Sequence, residues 1–180
     1  GAFALVVAVA GAGAGAWVKL REASLRSMRT STSCVLDGTS KGEIAYVRNA
    51  ERLMPGSSFA TFEAPTAIRY APGQKLAPHF DANRGADAED KERGGQTLAT
   101  LLVYLNDVDE GGETRFEHLG IDVAPKKGKA LVFFPSSAAC MPDARTLHTA
   151  TPAKDAHEKW VSQLWIASST PPVPTPEELE

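Results

Sequence analysis

Residues 67–81 read Ala-Ile-Arg-Tyr70-Ala-Pro-Gly-Gln-Lys75-Leu-Ala-Pro-His79-Phe-Asp81. Two short runs, Ala67–Tyr70 and Lys75–Asp81, flank the turn signal Pro72-Gly73, and each reads as a strand. In an extended strand side chains at i and i+2 share a face, so His79 and Asp81 converge while Phe80 packs behind them. His148 stands 67 residues beyond Asp81 and supplies a third donor. Two imidazoles and one carboxylate on one side of an ion leave open positions, a set that suits a non-haem Fe(II) that activates O₂. A three-residue H-x-D pattern also occurs by accident in ordinary strands, so the remainder of the chain has to carry the reading.

Outward from this stretch the text keeps to short strands and turns. Thr97–Asn106 (TLATLLVYLN) is nearly continuous apolar and predicts a central strand covered on both faces. Glu110-Gly-Gly-Glu113 and Lys126-Lys-Gly-Lys129 read as turns, the second feeding a strand over Ala130–Phe134. Two more strands are expected near Leu147–Thr151 and Lys159–Ala167. Asn83–Gly95 is polar and glycine-bearing, a loop. Before the strands, Ser40–Met54 predicts a helix. Ser40-Lys-Gly-Glu43 fits a capping box, Ile44, Val47, Ala50 and Leu53 follow at helical spacing, and Pro55-Gly56 stops it. From the residues alone the fold class is mainly β with flanking α, a sandwich or barrel.

The chain has 180 residues, 43% hydrophobic and 23% charged, enough for one globular domain with a real core. A net charge of −3 gives no nucleic-acid footprint. Cys34 and Cys140 exclude a cysteine zinc site and a disulfide framework; one bridge or two free thiols both stay open. Ala2–Trp17 is uncharged and built from Ala, Gly and Val. It is short for a membrane span. It reads either as a packing element or as the remnant of a targeting segment or anchor. Its G-x-G-x-G run lacks the βαβ context of a nucleotide loop. Ser168–Glu180 is rich in Pro and Glu. The expected organisation is residues 1–28 as an apolar segment, 29–167 as the functional domain and 168–180 as a tail.

In order, Arg29-Thr-Ser31, Arg69–Asp81, Gly94–Val108, Glu110–Phe116, Lys127–Phe134, His148–Pro152, Lys159-Trp160 and Trp165 resemble the prolyl 4-hydroxylase family of Fe(II)- and 2-oxoglutarate-dependent dioxygenases. The resemblance implies a double-stranded β-helix, a jelly-roll or cupin-like barrel, with supporting helices on one side. It implies a metal site of His79, Asp81 and His148, which are also the catalytic residues. It implies Fe(II), 2-oxoglutarate as co-substrate, O₂ and ascorbate. The reaction implied is hydroxylation of peptidyl proline, as in procollagen-proline 4-dioxygenases, coupled to decarboxylation of 2-oxoglutarate to succinate and CO₂.

The same resemblance points to Lys159 as partner of the distal co-substrate carboxylate, because a buried anion needs a cation. Lys159 follows His148 by eleven residues, one more than the family interval, and the extra residue fits the loop Ala153–Glu158. Lys154 is the competitor. Thr100 and Tyr70 complete the expected co-substrate pocket, against ordinary roles as a strand threonine and a packing aromatic. Trp165 shares strand parity with Lys159 and faces the barrel interior with it; Trp160 then faces the other way, into core. Tyr70, Arg115 and Trp165 are candidates for the substrate groove. Thr97 stands where relatives carry arginine, which removes an arginine contact there. His118 and His157 read as surface residues, and Asp107, Asp109 and Glu110 as a solvated acidic turn.

The implied partner is a proline-containing peptide or protein, with no nucleic acid, and a membrane only if the apolar N-terminal run is an anchor remnant. The tail Thr170-Pro-Pro-Val-Pro-Thr-Pro176 itself looks like a groove ligand, or else a plain proline-rich end. A related oxygenase on a non-proline target and a non-catalytic peptide-binding barrel are the alternatives; the complete ligand set argues against the latter. A secretory lumen is expected for a eukaryotic member and a cytoplasm for a bacterial or viral one.

Overall fold

The structure is a computed structural model, and it describes residues 29–54, 56–57, 59–82, 95–154 and 157–169. The apolar run Ala2–Trp17, most of the loop Asn83–Gly95 and the proline-rich end of the tail lie outside the described residues.

Among the described residues nine strands form two antiparallel sheets. They are β1 (Thr32–Val35), β2 (Thr66–Tyr70), β3 (Leu76–His79), β4 (Thr97–Tyr104), β5 (Thr114–Phe116), β6 (Ile121–Val123), β7 (Ala130–Phe133), β8 (His148–Ala150) and β9 (Lys159–Ala167). The larger sheet has the order β1-β2-β9-β4-β7 and the smaller β3-β8-β5-β6. Without the edge strand β1, the eight strands β2–β9 are divided four and four, the jelly-roll arrangement in which two sheets face each other over one core. Helix α1 (Lys41–Leu53) packs on the outside of the larger sheet.

Alternation along β9 separates two environments. Val161 and Trp165 point between the sheets, where they meet Ile68, Tyr70, Leu102, Tyr104, Phe116 and Phe133. Leu164 points the other way, where it and Leu101 pack against Ala50 of α1. Strand β4 is therefore covered on both faces, as its unbroken apolar run predicts. The capping box forms: the Ser40 hydroxyl accepts from the Glu43 amide at 3.2 Å, and the Glu43 carboxylate accepts from the Ser40 amide at 2.8 Å.

Strands β1, β5 and β6 go beyond the sequence expectation. Strand β3 is shorter than the predicted Lys75–Asp81; it ends at His79 and shifts register between Leu76 and His79, the stretch that holds Pro78. A proline is tolerated there because β3 is an edge strand and needs to donate on one side only. Trp160 corrects the expectation of a core residue. It lies beyond the cover of α1, 39% exposed, with its indole N–H on Glu158 and the Arg69 guanidinium 5.9 Å from its ring. Both cysteines are free, Cys34 exposed and Cys140 half-buried. Among the described residues no helix is long and apolar enough to cross a membrane.

Candidate metal centre

His79 closes β3 and His148 opens β8, and the two are register partners in the smaller sheet. Their rings lie 4.2 Å apart between centroids, tilted by 56°. Each ring is oriented from behind. Nδ1 of His79 contacts the Ala77 carbonyl at 2.7 Å, and Nδ1 of His148 the Thr146 carbonyl at 2.9 Å. A carbonyl can only accept, so both Nδ1 atoms carry the proton and both Nε2 atoms present lone pairs forward. Phe116 and Phe133 pack on the His148 ring, with centroids at 5.4 and 4.9 Å.

Asp81 completes the set. Its Oδ1 lies 3.7 Å from Nε2 of His79 and 3.8 Å from Nε2 of His148. The three ligand atoms fall within 4.8 Å of one another, and all three residues are buried. Burial, reinforced by the neighbouring His148, holds the His79 imidazole well below its ordinary pKa, hence neutral as a metal ligand must be. Nε2 of His79 is buried with no hydrogen-bond partner. An orphaned imidazole nitrogen aimed at a buried carboxylate and a second imidazole is the donor set of a facial metal site, so the residues fit Fe(II).

Thr100 and Trp165, expected at the co-substrate pocket, face the barrel interior beside the metal ligands. Both reach Asp81 Oδ2, the Thr100 hydroxyl donating at 2.7 Å and the Trp165 indole N–H at 3.3 Å. The register opposes Thr100 to Trp165 across β4 and β9, which is why they arrive together. They hold one carboxylate oxygen and leave Oδ1 for the ion, the supporting arrangement that fixes a metal ligand.

Lys159 and Tyr70 meet as register partners across β9 and β2. The Lys159 ammonium is 4.4 Å from the centre of the Tyr70 ring and donates to the Gly112 carbonyl at 2.9 Å. Lys159 is only 1% exposed, and burial lowers its pKa to about 7 despite the favourable field of Glu113. Among the described residues no carboxylate forms an ion pair with it. A buried cation without an anion is costly, and this one fits the distal carboxylate of a diacid. Lys154, the competitor, is on the surface in an ion pair with Glu110.

Arg115 does not join the others. Alternation in β5 turns Thr114 and Phe116 inward and Arg115 outward, where it pairs with Asp122 at 2.7 Å. Two neighbours of Tyr70 were not singled out by sequence: its hydroxyl is hydrogen-bonded to the Ser31 side chain, and Nε of Arg29 donates to Ser31 at 2.8 Å. Burial raises the Tyr70 pKa to about 12, so the phenol stays protonated. Only the Arg29-Thr-Ser31 segment could have signalled this pair.

A jelly-roll carrying two histidines and one aspartate on one face of its core defines a mononuclear metal site of the facial-triad class. Residues 65–167 match the family model described as 2OG-Fe(II) oxygenase superfamily. The chain is 32% identical to "Prolyl 4-hydroxylase 2" of Arabidopsis thaliana, over 81% of this chain and 54% of that protein. It is 32% identical to "Prolyl 4-hydroxylase subunit alpha-2" of Gallus gallus, over 79% of this chain and 27% of that one. It thus spans between about a quarter and about half of these curated relatives. Among solved structures, the 2OG complex of the viral collagen prolyl hydroxylase of Paramecium Bursaria Chlorella virus-1 superposes with a TM-score of 0.67 at 30% identity, covering 81% of this chain and 83% of that one. The chain belongs to the 2OG-Fe(II) oxygenase superfamily.

Proposed function

We propose that this protein hydroxylates proline in a peptide or protein chain, using Fe(II), O₂ and 2-oxoglutarate, with ascorbate as the reductant that keeps the iron ferrous. The observation that carries the reading is the combination of the buried His79–Asp81–His148 set with a buried Lys159 that forms no ion pair among the described residues.

Nε2 of His79, Oδ1 of Asp81 and Nε2 of His148 would hold the iron. Bound there, it supplies the activation of O₂ that couples decarboxylation of 2-oxoglutarate to hydroxylation of a carbon. The protein's own part is orientation. The carbonyls of Ala77 and Thr146 hold the imidazole protons away from the ligand side, and Thr100 and Trp165 hold the carboxylate. Lys159 supplies the counter-charge for a dicarboxylate. Burial excludes water from the ligand atoms. Proline as the target is supported by the printed names of the relatives, all of them prolyl hydroxylases.

The test is succinate release from 2-oxoglutarate with Fe(II) and ascorbate, with and without a poly-proline peptide, followed by mass analysis of the peptide. Peptide-stimulated turnover with one oxygen added is the expected result. Turnover without peptide oxidation would keep the oxygenase and discard proline as its target. Iron binding without turnover would shift the reading to a peptide-binding barrel.

A further inference from the structure

The segment between His148 and Lys159 is gripped by the turn that the sequence reads only as Glu110-Gly-Gly-Glu113. The amide of Thr151 donates to the Glu113 carbonyl at 2.9 Å, and the amide of Gly112 to the Pro152 carbonyl at 3.0 Å. The amide of Lys154 donates to the Glu110 carbonyl at 3.0 Å, and Gly111 bridges to Ala153. The chain leaving the metal ligand is thus tied down as far as residue 154. Lys159 then enters β9 opposite Tyr70.

Both glycines are required by geometry. Gly111 has φ +76°, and a Cβ there would lie 2.5 Å from the Pro152 carbonyl oxygen, a backbone atom that cannot yield. Gly112 has φ +71°, and its Cβ would touch the Lys159 stem at 3.4 Å. Left-handed backbone is disfavoured for any side chain here, so a substitution at Gly112 pushes the turn out of it and swings the carbonyl. That carbonyl is the atom to which the Lys159 ammonium is tied, at 2.9 Å.

We propose that the Gly111-Gly112 turn is a positioning element that fixes the Lys159 ammonium at one depth in the barrel and so selects the chain length of the 2-oxo dicarboxylate admitted. The proposal rests on the dioxygenase reading of the site. A lysine is a point charge on a flexible stem, and left free it would follow carboxylates at several depths. Tied to a carbonyl and seated over the Tyr70 ring, it offers one depth only. A diacid one carbon longer or shorter than 2-oxoglutarate then meets the metal site or the ammonium, but not both. One methylene in a fixed pocket discriminates by about 10- to 200-fold.

The experiment is calorimetric titration of the intact, Mn(II)-loaded protein with 2-oxoglutarate, 2-oxoadipate and oxaloacetate. It compares the unmodified protein, Gly112→Ala and Lys159→Arg, whose longer side chain sets the charge at another depth. The unmodified protein should prefer 2-oxoglutarate at least ~10-fold over either homologue. Gly112→Ala should lose most of that preference, through weaker 2-oxoglutarate binding, with Mn(II) affinity unchanged. Lys159→Arg should shift the preference towards oxaloacetate, the shorter diacid, with Mn(II) affinity unchanged. A folded Gly112→Ala protein with undiminished selectivity overturns the proposal, and so does a Lys159→Arg protein that keeps the parent's order of affinities. If Gly112→Ala does not fold, Lys159→Arg decides alone. An unmodified protein that binds Mn(II) but no diacid overturns the dioxygenase reading itself and is recognisable as such.

Discussion

His79 and His148 are cross-strand partners, opposed in register between β3 and β8, although they stand 69 residues apart in sequence. The pairing means that strand hydrogen bonding, rather than the ion, brings the two imidazoles together. Replacing either histidine with alanine should abolish turnover and weaken metal binding while far-ultraviolet circular dichroism keeps its strand signature. Metal affinity by titration and activity by succinate release check the two halves. Retained turnover in either variant would falsify the ligand assignment.

Thr100 carries a prediction that separates its two possible roles. Its hydroxyl donates to Asp81 Oδ2 at 2.7 Å, so Thr100→Val should release one side of the carboxylate. Loss of a partner that orients a metal ligand costs roughly 10- to 100-fold in metal affinity. Thr100→Ser should restore most of it. A Thr100→Val protein with normal metal affinity but weakened 2-oxoglutarate binding would return Thr100 to the co-substrate pocket.

The difference between those roles shows where sequence reading ends. His79 and Asp81 were legible because the H-x-D spacing is local, although Asp81 lies two residues beyond the end of β3. The capping box at Ser40 and Glu43 was legible for the same reason, and so was β9, whose bounds match the expectation. The Thr100–Asp81 hydrogen bond spans two sheets, and no local pattern carries it. Strands β5 and β6 have three residues each, too short for a period to register. β1 is exposed at all four positions and shows no buried face to read. Arg115 illustrates the cost of missing β5: once Thr114 and Phe116 are seen to point inward, Arg115 has to point out.

Arg115 accordingly gives a negative prediction. Its pair with Asp122 is exposed and screened by solvent, so it contributes little to stability. Arg115→Ala should leave both peptide-stimulated succinate release and the urea-unfolding midpoint essentially unchanged. A selective rise in the apparent KM for peptide would show that substrate reaches the outer face of the smaller sheet.

Lys159 should leave a pH signature in the protein free of dicarboxylate. Its pKa falls from the ordinary 10.5 to about 7 because burial disfavours the charged form. Between those values the unfolded chain binds a proton that the folded chain lacks. Stability therefore rises as pH increases from about 7 towards 10.5. Below about 7 both states are protonated and the full cost of the buried charge is present. Lys159→Met removes the group, so its urea-unfolding stability should show a flatter pH dependence over this window and exceed the parent's near pH 7 by a few kcal/mol. A dicarboxylate stabilises the protonated form, and its binding at pH 8 should take up a proton from solution. Calorimetry in two buffers of different ionisation enthalpy measures that uptake. Identical heats in both buffers, with parallel stability profiles for parent and variant, would mean that Lys159 stays charged in the empty barrel and that its neighbours, Glu113 above all, neutralise it.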